Sequence, residues 1–265
     1  MTLPMPPSWL VPDWPAPAHV HALFTTREGG VSAAPFDTFN LGAYVRDEPA
    51  HVQANRGHLG AISGARHVFL HQVHGTAVAD LDADPPDETE ADACLTTRRG
   101  VACTIMVADC LPVLFTDRHG RFVAAAHAGW RGLAGGGEPG VLAATVSAVR
   151  DRFPDVAAGE LLAWLGPCIG PGHFEVGGEV RVAFARAGFD VGQAFGPLAT
   201  PGKWMANLPA LARQQLLSLG ITSIHGNDGT PPWCTVAQSS RFFSHRRDAA
   251  RLGSSGRMAA CIWLG

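Results

Sequence analysis

Apolar runs of strand length recur along this chain, and they are spaced in two different ways. They fall at residues 20–25, 67–73, 101–107, 113–116, 122–126, 161–165, 221–224 and 258–264. Runs this short, bounded by Gly, Pro, Asp and Asn, read as strands rather than helices. Some follow one another directly. Others are separated by helical apolar spacing at residues 48–59, 141–153, 178–187 and 206–219. Asp47 precedes the first helical segment as a candidate cap, with Pro49 in its first turn, and Gly220 follows the last at a C-cap position. A doubly wound parallel sheet would alternate strand and helix throughout. The mixture argues instead for an α+β protein, a layered α/β/β/α domain with mixed β-sheets.

With 265 residues, the chain can bury a large core as one domain over 1–265. No low-complexity linker or charge block marks a boundary, and residues 1–18 read as a proline-rich leader draped over the surface. A hydrophobic fraction of 46% and a charged fraction of 16% describe an ordinary globular protein. The net charge of −3 gives no basic footprint for nucleic acid and no polybasic patch for lipid. The N-terminus lacks a basic region ahead of an apolar one, and the most apolar stretch, 101–115, is interrupted by Asp109 and Pro112. A cytoplasmic location is the expectation, with no protein partner evident. There the 6 scattered cysteines read as core residues or ligands, not a disulfide framework.

The stretch 101–127 predicts a meander. The first strand turns at Ala108-Asp-Cys-Leu-Pro112, the second runs back to Asp117-Arg-His-Gly120, and the third runs parallel to the first. Cys110 and His127 then lie past the ends of parallel strands at one sheet edge. His74 follows the strand at 67–73, and if that strand shares their direction, three ligand-type side chains meet at one rim. Two imidazoles and a thiolate are the donor types of a catalytic zinc site, which keeps a fourth position open. The spacing is not that of a zinc finger or ribbon, and each residue taken alone also reads as core or surface.

Motif order adds to that reading. The segments His71-Gln-Val-His-Gly75, Ala108-Asp-Cys-Leu-Pro112, His127-Ala-Gly-Trp-Arg-Gly132 and Gly166-Pro-Cys-Ile-Gly-Pro171 resemble the laccase-domain family. That family is also described as multicopper polyphenol oxidases, peptidoglycan editing factors, or relatives of a purine nucleoside enzyme. Thr25-Thr-Arg-Glu-Gly-Gly-Val-Ser32, Asn40-Leu-Gly42, Phe174-Glu-Val-Gly177, Cys234-Thr235 and Phe242-Phe-Ser-His-Arg-Arg-Asp248 extend the resemblance over most of the chain. It implies zinc held by His74, Cys110 and His127, with copper as a possible substitute. It also implies phosphorolysis of adenosine, inosine and methylthioadenosine, adenosine deamination, and weaker phenol oxidation. Nucleosides and phosphate would be the partners. Three positions depart from the family pattern: His245 stands where a tyrosine is expected, Asn207 for an aspartate, and Arg46-Asp47 for glycine-aspartate.

Other residues carry paired readings. Asp109 is a partner of the centre or a general acid/base, or else a turn aspartate. His71 lines the pocket or packs. Arg27 and Arg131, each beside glycines, hold phosphate or lie on the surface. The run Arg246-Arg247-Asp248 reads equally as part of the site or as a helix-surface ion pair, the latter worth little energetically. Four functions compete. A zinc nucleoside enzyme uses all these groups. A multicopper oxidase needs several His-x-His pairs, whereas the chain has only His19-Val-His21. A metal-free hydrolase would use Cys110 as nucleophile and His127 as base, and a non-catalytic purine-binding module would turn nothing over.

Overall fold

The computed structural model describes residues 4–265. In chain order its first elements are β1 (Val20–Phe24), α1 (Pro49–Ser63), β2 (Arg66–Phe69), β3 (Val78–Asp80), β4 (Ala93–Thr96), β5 (Val101–Val107), β6 (Leu111–Asp117) and β7 (Val123–Ala128). There follow α2 (Trp130–Ala134), α3 (Val141–Arg152), β8 (Leu161–Leu165), β9 (Glu175–Gly177), α4 (Gly178–Arg186), α5 (Val191–Ala194) and β10 (Phe195–Pro197). The last are β11 (Lys203–Ala206), α6 (Leu208–Ser218), β12 (Ser223–Gly226), α7 (His245–Leu252) and β13 (Met258–Leu264).

Two mixed sheets stack face to face. One has the order β1-β13-β5-β2 and the other β12-β8-β6-β7-β4-β3, while β10, β11 and β9 form a small antiparallel sheet. The alternation of side chains along each strand builds the layers. On β13, Met258, Ala260, Ile262 and Leu264 pack between the sheets with Leu114, Val123, Ala125 and Trp164. Ala259 and Cys261 point the other way, against Leu59 and Ile62 of α1. On β7, Ala124 and Ala126 face Val146 and Val149 of α3 and Leu211 and Leu216 of α6. Each fully buried aliphatic such as Ile262 or Leu211 contributes about 1.5–3 kcal/mol. The result is the α+β layering expected, helix on sheet on sheet on helix. Among the described residues no helix is long and apolar enough to cross a membrane.

Several expectations are corrected in detail. The three strands within 101–127 do not form one meander. β6 and β7 pair antiparallel, but β5 lies in the other sheet, between β13 and β2. The chain crosses between sheets through Ala108-Asp109-Cys110, with Asp109 at φ 90. Strands buried on both faces have the same apolar pattern whether they share a sheet or stack, so periodicity does not separate the two arrangements. β2 is parallel to β5 but stops at Phe69, and His71 makes only an isolated bridge to Glu90. Asp47 is not a helix cap. Its Oδ2 accepts from Ser32 Oγ at 2.7 Å and from Asn40 Nδ2 at 2.9 Å, and Glu48 occupies the N-cap position. The proline-rich leader, whose residues 1–3 lie outside those described, is not merely draped: Trp9 is 4% exposed and Leu10 pairs with Phe24.

Candidate active site

Cys110 occupies the crossing between the sheets. His127 lies near the end of β7, opposite Pro112 of β6, and therefore beside that crossing. His74 comes from the loop after β2, in a left-handed conformation at φ 64 that only a few non-glycine residues adopt. Asp92, immediately before β4, holds that loop. Its carboxylate accepts the backbone N–H groups of Val73 (3.1 Å), His74 (2.9 Å) and Gly75 (2.7 Å). The same carboxylate lies 2.7 Å from His127 Nδ1, so that Nδ1–H donates and Nε2 is left for the centre.

The donor atoms of His74, Cys110 and His127 all lie within 4.8 Å of one another, with Cys110 Sγ 3.5 Å from His74 Nε2. Tetrahedral bonds of about 2.0–2.3 Å separate donor atoms by roughly 3.3–3.8 Å; the Cys110–His74 pair has that spacing, and two imidazoles with a thiolate fit zinc in chemistry. Close approach is needed to assemble it. A Cβ on Gly129 would stand 2.7 Å from His74 Cδ2 and 3.1 Å from Cys110 Sγ.

The charges are shifted accordingly. Burial works to raise the Cys110 thiol, but the charge on His127 and hydrogen bonds from both histidines bring it down to about 6. Burial works to lower His127, but the Cys110 thiolate and Asp92 raise it to about 9. Each group thus favours the charged form of the other, a thiolate beside an imidazolium. Burial also opposes ionisation of Asp92, yet His127 and the backbone donors hold its carboxyl below the usual range.

These residues open onto a cavity of about 550 Å³. His71 lines it, tilted against Tyr44 at 5.4 Å between ring centroids. Arg131 also lines it, with its guanidinium 4.4 Å from the Trp130 ring. Asp109 faces it too, but each carboxylate oxygen is engaged at 2.6 Å, one by Thr235 Oγ1 and the other by the Arg246 N–H. That arrangement suits anchoring of α7 more than proton transfer. Arg27 is not brought to the cavity. Its guanidinium donates to Asp37 and to the Ser239 carbonyl and lies 4.8 Å from the Phe243 ring.

Residue types alone gave no role to Asp92, Tyr44 or Arg257, and left Arg246 open between the site and a helix surface. Arg247 does pair with Asp248, but Arg246 lines the cavity with Arg257 and His245. Burial first, and then the charge of Arg257, lowers the pKa of His245. The other two departures lie elsewhere. Asn207 caps α6 by accepting from Ala210 N at 3.0 Å, and Arg46 is an exposed turn residue at φ 70.

Comparison with known proteins agrees with this architecture. Residues 21–265 match the family model described as multi-copper polyphenol oxidoreductase laccase. The chain is 51% identical to a purine nucleoside phosphorylase of Pseudomonas aeruginosa, over 97% of this chain and 98% of that protein. It is 46% identical to purine nucleoside phosphorylase YfiH of Escherichia coli, over 96% and 98%. Among solved structures, a Neisseria meningitidis protein superposes with a TM-score of 0.87 at 44% identity, covering 97% of this chain and 99% of its own. Bacillus licheniformis YfiH superposes with a TM-score of 0.83 at 31% identity, covering 93% of each chain.

Proposed function

Because the chain belongs to the multi-copper polyphenol oxidoreductase laccase family, we propose that it is a zinc-dependent purine nucleoside phosphorylase. Adenosine, inosine and methylthioadenosine are the proposed substrates, with adenosine deamination as a second reaction of the same site. The observation that carries the reading is the meeting of His74, Cys110 and His127 on the wall of a cavity that also holds three arginines. Relatives named purine nucleoside phosphorylase support it.

His74, Cys110 and His127 would hold the zinc, which supplies Lewis acidity at an open coordination position. The protein's own groups do the rest. Tyr44, His71, Trp130 and Phe174 offer aromatic faces to a purine ring. Arginine side chains bind phosphate and orient one of its oxygens toward the sugar C1′. That oxygen bonds to C1′ as the C1′–N9 bond breaks. The electron pair passes to the purine, which takes up a proton, and the products are free base and ribose 1-phosphate. In deamination, water adds at C6 and ammonia leaves.

A multicopper mechanism is poorly matched. Among the described residues a single group of metal-ligating type is assembled, whereas such oxidases need several histidine-rich sites. The metal-free hydrolase retains one supporting observation, the Cys110 thiolate beside a His127 ring held by Asp92. Restoring zinc to chelator-treated protein separates the two. On the phosphorylase reading, zinc restores base release from inosine with phosphate and protects Cys110 from iodoacetamide. Base release that needs neither metal nor phosphate, and is abolished by alkylation of Cys110, would establish the hydrolase instead.

A further inference from the structure

The cavity is uneven in charge. Arg131, Arg246 and Arg257 line it, against one carboxylate, Asp109, whose two oxygens already accept hydrogen bonds, and the sulfur of Cys110. Elsewhere arginines are paired with acids, as Arg56 with Glu88, Arg121 with Asp117, Arg152 with Asp82 and Arg247 with Asp248. Among the described residues none of the three cavity arginines takes part in an ion pair. Arg257 is half-buried, and a partly desolvated guanidinium held without a salt-bridge partner gains when an anion binds.

Arg257 is seated with care. Its N–H donates to Asn40 Oδ1 at 2.8 Å, and the same oxygen accepts Gly42 N at 3.0 Å. The aliphatic stem lies so close to Gly42 that a Cβ there would stand 2.7 Å from Arg257 Cγ. The segment Asn40-Leu-Gly42, which the proposed chemistry otherwise leaves without a task, is thus the seat of this side chain. At the far end one terminal nitrogen, Nη1, donates to the Ser255 carbonyl (2.8 Å), Ser255 Oγ (3.1 Å) and the Gly256 carbonyl (3.2 Å). Nε and Nη2 have no acceptor among the described residues. Arg246 repeats the pattern. Its Nη1 donates to the carbonyls of Glu175 (3.0 Å) and His173 (3.4 Å), and its other two nitrogens have no acceptor among the described residues. Each guanidinium is fixed through one nitrogen and presents the remaining edge, the geometry that grips an oxyanion through two parallel N–H groups.

We propose that Arg246 and Arg257 form the binding site for inorganic phosphate in this cavity. The proposal rests on the phosphorylase reading for the identity of the anion, since a phosphoryl group is also carried by nucleotides. Titration of the zinc-loaded protein by calorimetry, with inorganic phosphate in one arm and adenosine 5′-monophosphate in the other, tests it. Arg257→Gln and Arg246→Gln should each weaken phosphate binding roughly 10- to 100-fold. Arg257→Lys should recover part of the loss, and Arg27→Gln should bind as the unaltered protein does. Arg246 is exposed, so its variant remains informative if Arg257→Gln does not fold. Phosphate affinity unchanged in both glutamine variants, or lost only in Arg27→Gln, would overturn the assignment. So would Arg257-dependent binding of the nucleotide with no binding of phosphate. Phosphate binding that depends on Arg257 in a protein that releases no base would uphold this site while removing the phosphorylase reading.

Discussion

Asp92 Oδ1 lies 2.7 Å from His127 Nδ1, and the other contacts of that carboxylate are the backbone N–H groups of the loop that presents His74. One buried side chain therefore orients two members of the candidate centre that arrive from separate parts of the chain. Asp92→Asn keeps the shape but makes one of its two oxygens a nitrogen and removes the charge. Zinc affinity, measured by competition with a chromophoric chelator, should fall roughly 10- to 100-fold. Nitrogen-15 spectra of the imidazoles should show His127 losing its fixed Nδ1–H tautomer. Wild-type affinity in Asp92→Asn would show that the carboxylate braces the fold without tuning the centre.

Gly129 offers a cleaner probe, because its backbone (φ −65, ψ 157) is open to any residue and only the space is restricted. The Cβ of Gly129→Ala would crowd His74 Cδ2 at 2.7 Å and Cys110 Sγ at 3.1 Å. The variant should fold with a near-normal melting temperature and bind zinc at least about tenfold more weakly, the scale of loss seen when a metal site's surroundings are disturbed. Equal zinc affinity would contradict the close packing described for this rim.

The third expectation concerns acid stability. His67 is 9% exposed, and burial pushes its pKa from 6.5 down to about 4. Its ring nitrogens lie 2.9 Å from Thr104 Oγ1 and 2.8 Å from Ser63 Oγ. The folded state thus keeps the ring neutral where the unfolded chain protonates it. The stability this confers is complete above pH 6.5 and is lost as pH falls toward 4. The loss amounts to about 2–3 kcal/mol by pH 4.5. Urea denaturation at pH 7 and pH 4.5 should show a smaller acid loss in His67→Gln than in the unaltered protein. The same loss in both would mean that other groups drive acid unfolding.

Much of this was legible in the residues themselves. The strands are short apolar runs buried on both faces and the helices carry their apolar spacing, so the α+β layering followed from pattern. His74, Cys110 and His127 stood out because imidazole and thiolate at turn positions are metal donors and because their motifs recur in a known order. Assignment of strands to sheets was not legible, since β5 and β6 are apolar on both faces and look alike whether paired or stacked. Asp92 escaped notice because a lone aspartate ahead of an apolar run also suits a turn. Arg27 drew attention through its glycines, whereas Arg257 sits in an unremarkable Gly-Arg-Met segment. Only the folded chain shows that the first is occupied by Asp37 and that the second opens onto the cavity.

The central claim, phosphorolysis at the cavity holding His74, Cys110 and His127, is tested most directly by following nucleosides with and without phosphate. Protein of measured zinc content is incubated with inosine, adenosine or methylthioadenosine, and the products are separated by chromatography. Phosphate should be required for base release, which should be matched mole for mole by the sugar 1-phosphate, while conversion of adenosine to inosine proceeds without phosphate. Both reactions should fail in His74→Ala. Base release that is equally fast without phosphate, and yields free sugar, would contradict the account.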